Sequence, residues 1–303
     1  MLLAVGFAML VKGADWFVDG AAGIADKFGV PQLVIGLTIV AMGTSAPEAA
    51  VSITAALKGS ADITIGNVVG SNILNILIIL GISSVITAIA VAKSTIRIET
   101  PYMILITVLL LAFGATGNVV SFGEGLLLWA AFLLYLGYLF YMAKKNKEEV
   151  TEESRNAPFW KLLLYAVMGL ILVVWGSDVT VDAATAIAKD MGLSERFIGL
   201  TIVALGTSLP ELFTSVSAAR KGKADIAIGN IVGSNIFNIL FVVGTAALIT
   251  PVAFTSNFLM DTGIAAMAGV LLILCVLKKK KLTRTGGVIM LLCYGVYFGY
   301  LLR

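Results

Sequence analysis

Of the eighteen acidic residues in the chain, only Glu48 and Glu211 fall deep inside long apolar runs. A carboxylate at the centre of a bilayer costs at least ~2.5–3.5 kcal/mol on insertion scales, so such residues face a wet cavity or a cationic partner. No lysine or arginine lies at comparable depth in either of the two runs that carry them. The balancing cation must then come from solution, as a metal ion or a proton. The alternative is a pair of protonated carboxyls hydrogen-bonded to neighbouring helices, with no ligand at all.

The flanking residues bear on that choice. Pro47 and Pro210 precede the two glutamates, so the carbonyls of Gly43 and Gly206 lose their helical donor. The glycines let the backbone unwind there, and irregular backbone at this depth is tolerated only where protein or water receives it. Thr44 and Glu48 are spaced i, i+4, as are Thr207 and Glu211, which puts hydroxyl and carboxylate on one helix face. A plain helix kink and a ligand role are compatible here, and both are expected. A second motif follows each glutamate: Gly66-Asn67, Gly70-Ser71-Asn72 and Asn75, then Gly229-Asn230, Gly233-Ser234-Asn235 and Asn238. Asn67, Ser71 and Asn75 form an i, i+4 stripe with small residues beside it, as do Asn230, Ser234 and Asn238. Helix packing is one use for such stripes. Packing weighs most for the first asparagine of each. Ser71, Asn75, Ser234 and Asn238 lie further into the run, near the depth of the glutamates, and are expected to be ligands.

These groups supply carboxylate, hydroxyl, amide and backbone oxygen, with no soft donor. All-oxygen shells suit calcium, magnesium, manganese or sodium, and a flexible shell of six to eight oxygens favours calcium over magnesium. Two ionised carboxylates match one divalent ion or two sodium ions. Histidine is absent from the chain, and the two cysteines, Cys275 and Cys293, lie in apolar runs and read as small hydrophobes.

The elements that must hold such a site are membrane helices. The chain is 59% hydrophobic and 13% charged, with a mean hydropathy of +1.00. Soluble domains carry about 25% charged residues, so a cytosolic enzyme, a secreted disulfide scaffold and a disordered chain are excluded. Runs of about 20 apolar residues are long enough to span a bilayer. Ten are expected, near 1–22, 30–57, 62–91, 99–116, 121–143, 159–187, 195–219, 225–250, 257–277 and 286–302. A shift of 163 residues superimposes 13–81 on 176–244 without a gap, with about 40 of 69 positions identical. The first run resembles a signal-peptide core, but its repeat mate lies mid-chain, so it is kept as a helix.

Five runs per half make the halves enter the membrane in opposite directions. Loops after runs 1, 3, 5, 7 and 9 hold sixteen of the basic residues against four on the other side. This positive-inside bias puts both termini outside the cytoplasm. The fold class expected is an all-α polytopic membrane protein of ten transmembrane helices in two inverted-topology five-helix repeats. The first repeat covers 1–143 and the second 159–303, with motif segments at 36–81 and 199–244 and a cytoplasmic linker at 144–158. Inverted repeats are the architecture of alternating-access transporters, with the site at the midplane.

GTSAPE at 43–48 and GTSLPE at 206–211, each followed by a GN-x-x-GSN-x-x-N segment, resemble the paired alpha-repeats of the cation/calcium antiporter superfamily. The likeness is to the prokaryotic sodium/calcium exchangers of ten helices. It covers nearly the whole chain and implies exchange of Ca2+ for Na+ across a cell membrane, plasma or inner. By that resemblance Glu48 and Glu211 hold calcium with backbone oxygens of Thr44 and Thr207. It also implies sodium ligands at the carbonyls of Ala41 and Ala204, the side chains of Ser45, Ser208, Ser71 and Ser234, and the same glutamates. Asn75 and Asn238 complete the centre. Some family members, potassium-dependent ones included, carry aspartate where Asn238 stands, so the asparagine argues for a potassium-independent type. With it, three sodium ions exceed the site charge by one. The proton-coupled branch has asparagine after the motif glycine where this chain has Thr44 and Thr207, which speaks for sodium.

Proton/calcium exchange at the same site is the alternative reading. A cation channel could use the same oxygens, but channels are commonly rings of subunits around a pore. An enzyme is not expected, since a nucleophile with a base is hard to build without histidine or a mid-span lysine. No cofactor, nucleic acid or obligatory protein partner is expected beyond the transported ions and the lipid bilayer. Asp15, Asp19, Asp178 and Asp182 pair across the repeat and read as helix-end or interfacial groups. Asp62 and Asp225 read as N-caps, Trp16, Trp160 and Trp175 as an interfacial belt, and the first helices of each half as short gating helices.

Overall fold

In lipid a segment must satisfy its own backbone amides and carbonyls, so each long apolar run is driven into a helix. The computed structural model describes residues 2–147, 150, 156–192 and 204–301. Its helices are α1 (Leu2–Phe28), α2 (Gln32–Thr44), α3 (Ala46–Leu57), α4 (Ile63–Ile86), α5 (Thr95–Gly117) and α6 (Phe122–Lys145). They continue with α7 (Phe159–Asp190), α8 (Leu209–Arg220), α9 (Ala224–Ile249), α10 (Ser256–Leu277) and α11 (Arg284–Leu301). Six of these, α4 to α7 with α9 and α10, are long and apolar enough to cross a membrane, and the bent pair α2–α3 makes a seventh. The first residues of the expected seventh run, through position 203, lie outside the described residues.

Burial separates centre from rim. In α9 94% of the most apolar window is buried and in α4 72%, against 28% in α6 and α7. The repeat mates α4 and α9 therefore form the core, and the outer helices turn large apolar side chains outward, among them Leu134, Phe140, Trp160 and Trp175.

The pair α1 and α7 packs unusually closely. An added Cβ at Gly20 would come within 2.3 Å of the Ala166 amide, and one at Gly169 within 2.3 Å of the Phe17 amide. Gly6 faces Gly176 and Thr180, Gly13 faces Gly169 and Val173, and Gly20 faces Leu162 and Ala166, so the two helices run antiparallel. Small residues at this spacing let helix backbones approach. The expectation of short gating helices is corrected here: α1 has 27 residues and α7 has 32, the longest described. They are long because their glycine faces bury one another over most of their length.

Short strands tie the halves at two places. Strand β1 (Ile89–Ala90) pairs with β4 (Lys281–Leu282), and β2 (Val119–Val120) with β3 (Val252–Ala253). Ile89 and Val252 are repeat mates, as are Val119 and Leu282, so each ribbon is the counterpart of the other. At α9 the N-cap position is held by Lys223 without a side-chain cap, and Asp225 sits inside the first turn instead. There its charge meets the positive end of the helix dipole rather than a free amide.

Gly20→Ala is expected to lower the melting temperature in detergent by several degrees, since overpacking costs about 1–3 kcal/mol. Gly137→Ala, with open space at its Cβ, should leave it unchanged.

Candidate ion-binding site at the helix breaks

Helix α2 meets α3 at a bend of 51°, with Ser45 at the break. Pro47 occupies the start of α3 and Pro210 the start of α8, so Glu48 and Glu211 both lie in a first turn, where a carboxylate is favoured by the helix dipole. Both are buried, at 1% and 0% exposure, and they are near enough to act on one another electrostatically. The carbonyl freed by Pro210 finds a donor: the Ser177 hydroxyl of α7 donates to the Gly206 carbonyl at 2.6 Å. Ala14 stands at the matching position of α1 and supplies no such bond.

The second motif brings α4 and α9 together about a local two-fold. Asn72 Nδ2 donates to the Asn235 carbonyl at 3.2 Å, and Asn235 Nδ2 donates to the Asn72 carbonyl at 3.1 Å. Asn75 Nδ2 donates to Asn235 Oδ1 at 2.9 Å, and Asn238 Nδ2 to Asn72 Oδ1 at 3.2 Å. Residue i contacts j and j contacts i, as in any isologous interface. Asn72 and Asn235 were not singled out from sequence as site residues, although the exact repeat of the GSN triplet was the available signal. Asn75 and Asn238 each open a π-helical turn, Asn75–Leu80 and Asn238–Val243. Such turns are frequent at functional sites.

Asn67 and Asn230 take the packing role. Asn67 Nδ2 donates to Ser52 Oγ at 2.9 Å and the Glu48 carbonyl at 3.2 Å. Asn230 Nδ2 does the same to Ser215 Oγ at 2.9 Å and the Glu211 carbonyl at 3.4 Å. Each asparagine thus braces the helix turn that carries its glutamate.

Several of the expected ligands are left with unpaired oxygens. Glu48 Oε1 and Oε2, Glu211 Oε2, Asn75 Oδ1, Asn238 Oδ1 and Ser208 Oγ are buried without a hydrogen-bond partner. Leaving a buried acceptor unsatisfied costs about 1–3 kcal/mol, more for a charged group. Among the described residues no lysine or arginine is buried. Six orphaned oxygens, three of them on carboxylates, are the kind of donors a hard cation takes. Of the other expected ligands, Ser71 and Ser234 are buried on α4 and α9. The Ala41 carbonyl already accepts the Ser45 amide at 3.0 Å and the Ser234 hydroxyl at 3.3 Å. Nothing is described of the Ala204 side chain, and its backbone opens the short turn Ala204–Gly206.

The two halves of the site are not in the same state. Ser45 Oγ donates to Glu211 Oε1 at 2.8 Å, and the Thr44 hydroxyl lies 3.0 Å from Asn230 Oδ1. Among the described residues their mates make no such hydrogen bonds: Ser208 Oγ and both Glu48 carboxylate oxygens are unpaired.

The chain matches the family model of the sodium/calcium exchanger protein over residues 1–142 and 161–303. It belongs to the sodium/calcium exchanger family. Among its relatives is the inner membrane protein YrbG of Escherichia coli K12, 38% identical over 82% of this chain and 79% of that protein. The sodium/calcium exchanger MaX1 of Methanosarcina acetivorans is 31% identical over 97% of this chain and 95% of its own length. The fold superimposes on the sodium-calcium exchanger NCX_Mj, from a crystal soaked with 10 mM Na+ and no Ca2+, with a TM-score of 0.86, 32% identity, and coverage of 98% of this chain and 97% of that one. The chain is thus a multi-pass membrane protein of an exchanger family.

Asn235→Leu removes partners from both Asn72 and Asn75, and the protein is expected to melt several degrees lower in detergent. The double variant Asn72→Leu/Asn235→Leu should cost less than the sum of the single changes, which a double-mutant cycle measures.

Proposed function

We propose that this protein is a secondary antiporter that exchanges Ca2+ for Na+ by alternating access. The observation that carries the reading is the set of six unpaired buried oxygens, with no buried lysine or arginine among the described residues. Glu48 and Glu211 would supply the charge that offsets one calcium ion or two sodium ions. Ser208, Asn75 and Asn238 would complete the oxygen shell with Ser45, Ser71, Ser234 and the carbonyls of Thr44, Thr207, Ala41 and Ala204. Family membership, and the names borne by MaX1 and NCX_Mj, favour sodium over protons as the coupling ion.

In this reading ten membrane segments form two inverted repeats, 1–143 and 159–303, joined by a cytoplasmic linker at 144–158, with both termini outside. The antiparallel contact of α1 with its mate α7 supports it, as does the two-fold between α4 and α9. The cargo site acts by binding and release; no covalent step is required of it.

The asymmetry of the site is what alternating access requires. Lys221, just past the end of α8, donates to Asp19 Oδ1 at 2.7 Å and lies 3.6 Å from Asp15 Oδ1, while Ser217 Oγ donates to Asp15 Oδ1 at 2.6 Å. The mates Lys58, Asp178 and Asp182 form no ion pair among the described residues. One end of the molecule is thus latched and the other unlatched. In the exchanged state Lys58 would close on Asp178 and Asp182, Ser208 would bond Glu48, and the Lys221 latch would open. Exposed pairs of this kind are worth about 0.2–1 kcal/mol, so they bias the two states without locking either.

The first test uses protein in sealed vesicles loaded with sodium and diluted into sodium-free medium. Calcium-45 uptake should follow the outward sodium gradient, not a pH gradient, and should be lost in Glu48→Gln and Glu211→Gln. Uptake driven by the pH gradient alone would move the protein to proton/calcium exchange. A second test compares Lys221→Met with Lys58→Met. Their half-saturating external Ca2+ should shift in opposite directions by up to about five-fold, because apparent affinity scales with the population of the competent state.

A further inference from the structure

A second acid is buried far from the exchange motif in sequence. Glu99 ends the π-helical turn Thr95–Glu99 that opens α5 and is 0% exposed. One carboxylate oxygen, Oε1, accepts the Tyr138 hydroxyl of α6. The other, Oε2, has no partner, and neither has the hydroxyl of Tyr135, which is 6% exposed. Both residues line a cavity of about 260 Å³ between α5 and α6. Tyr102 closes it, stacked on Tyr135 with ring centroids 5.6 Å apart and its own hydroxyl given to the Ala131 carbonyl at 3.0 Å. No lysine or arginine lines the cavity.

The lining states what would fit. An acid with a vacant oxygen attracts a cation, and the tyrosine faces add to that attraction. The vacant acceptors Glu99 Oε2 and Tyr135 Oη call for a cation that donates several hydrogen bonds, as a primary ammonium does and a trimethylammonium does not. The remaining walls are apolar. The mouth is flanked by Ile98 and Leu134, exposed by 47% and 76% on helices whose outer faces are apolar, so it opens toward lipid. Its depth agrees. Glu99 follows Lys93 by six residues and Tyr138 precedes Lys144 by six, which at 1.5 Å per residue is roughly 9 Å below the basic ends of both helices. That is the reach of a lipid headgroup, and Lys93 and Arg97 at the same end of α5 are both exposed.

We propose that the cavity between α5 and α6 binds the primary ammonium of an amine-bearing phospholipid headgroup on Glu99 and Tyr135. The site is independent of the exchange reaction and would stand if the transported ion were different.

The full-length protein is reconstituted in nanodiscs and its retained lipids counted by native mass spectrometry. Phosphatidylethanolamine should be retained in preference to phosphatidylcholine of the same chains. Glu99→Gln keeps the shape and loses the charge, and should weaken that retention about ten- to a hundred-fold, the scale of one charge-assisted hydrogen bond. Tyr135→Phe should weaken it less. Melting temperatures close to the parent for both variants confirm that the loss is not unfolding. Equal retention of the two lipids, or retention unaffected by Glu99→Gln, would overturn the proposal. Binding of n-octylamine by the parent but not by Glu99→Gln, without any preference for the ethanolamine lipid, would reject the lipid and leave a site for free amines.

Discussion

Two carboxylates held inside an apolar chain, with no buried lysine or arginine among the described residues, are the constraint on which the rest depends. Their mutual repulsion and desolvation would oppose folding unless an ion, a proton or water offsets them. The helix breaks answer part of this cost. A break at Ser45 and another before Leu209 put each glutamate in a first turn, where unsatisfied amides and the dipole favour negative charge. Asparagine side chains then fix those turns from the adjacent helix.

The central helices carry out two jobs that conflict unless the residues are small. Helices α4 and α9 must approach closely enough for Asn72 and Asn235 to exchange hydrogen bonds, and must still present oxygens to a cavity. Glycine and serine allow the approach, and the π turns at Asn75 and Asn238 widen the helix where the amide oxygens stay unpaired. Around this central pair, α1 and α7 meet largely through glycine faces, with Trp16 stacked on Tyr165 and Phe28 edge-on to Phe159. A contact made of glycine faces has few interdigitating knobs to resist sliding, which suits a pair that shifts between two arrangements. Substitution of Ala14 by its counterpart Ser177 shows that the halves have already diverged at the break.

Most of the architecture was legible in the chain. Apolar run lengths gave nearly all of the helices, since bilayer thickness fixes what a run must span, and the 163-residue repeat identified which helices are mates. The position of each glutamate at a helix start followed from the proline before it. Less was legible about partners. Asn72 and Asn235 were quoted as part of a motif and passed over, because hydrogen bonding across an interface leaves no spacing signal within one helix. Nothing in the sequence singles out Glu99, at the first position of the run near 99–116. Only the π turn at Thr95–Glu99 and the approach of α6 bury it beneath Tyr138.

The sequence by itself determined the membrane class, the duplication and the oxygen chemistry of the site, because composition, periodicity and residue type act locally and survive in one dimension. Tertiary structure alone decided which of the two halves makes the bond across the repeats. The repeats are nearly identical at the motif, so no reading of the chain could assign the Ser45–Glu211 bond over a bond from Ser208 to Glu48. That choice is made by packing, which brings the Ser45 break against Glu211 and leaves Ser208 without a partner.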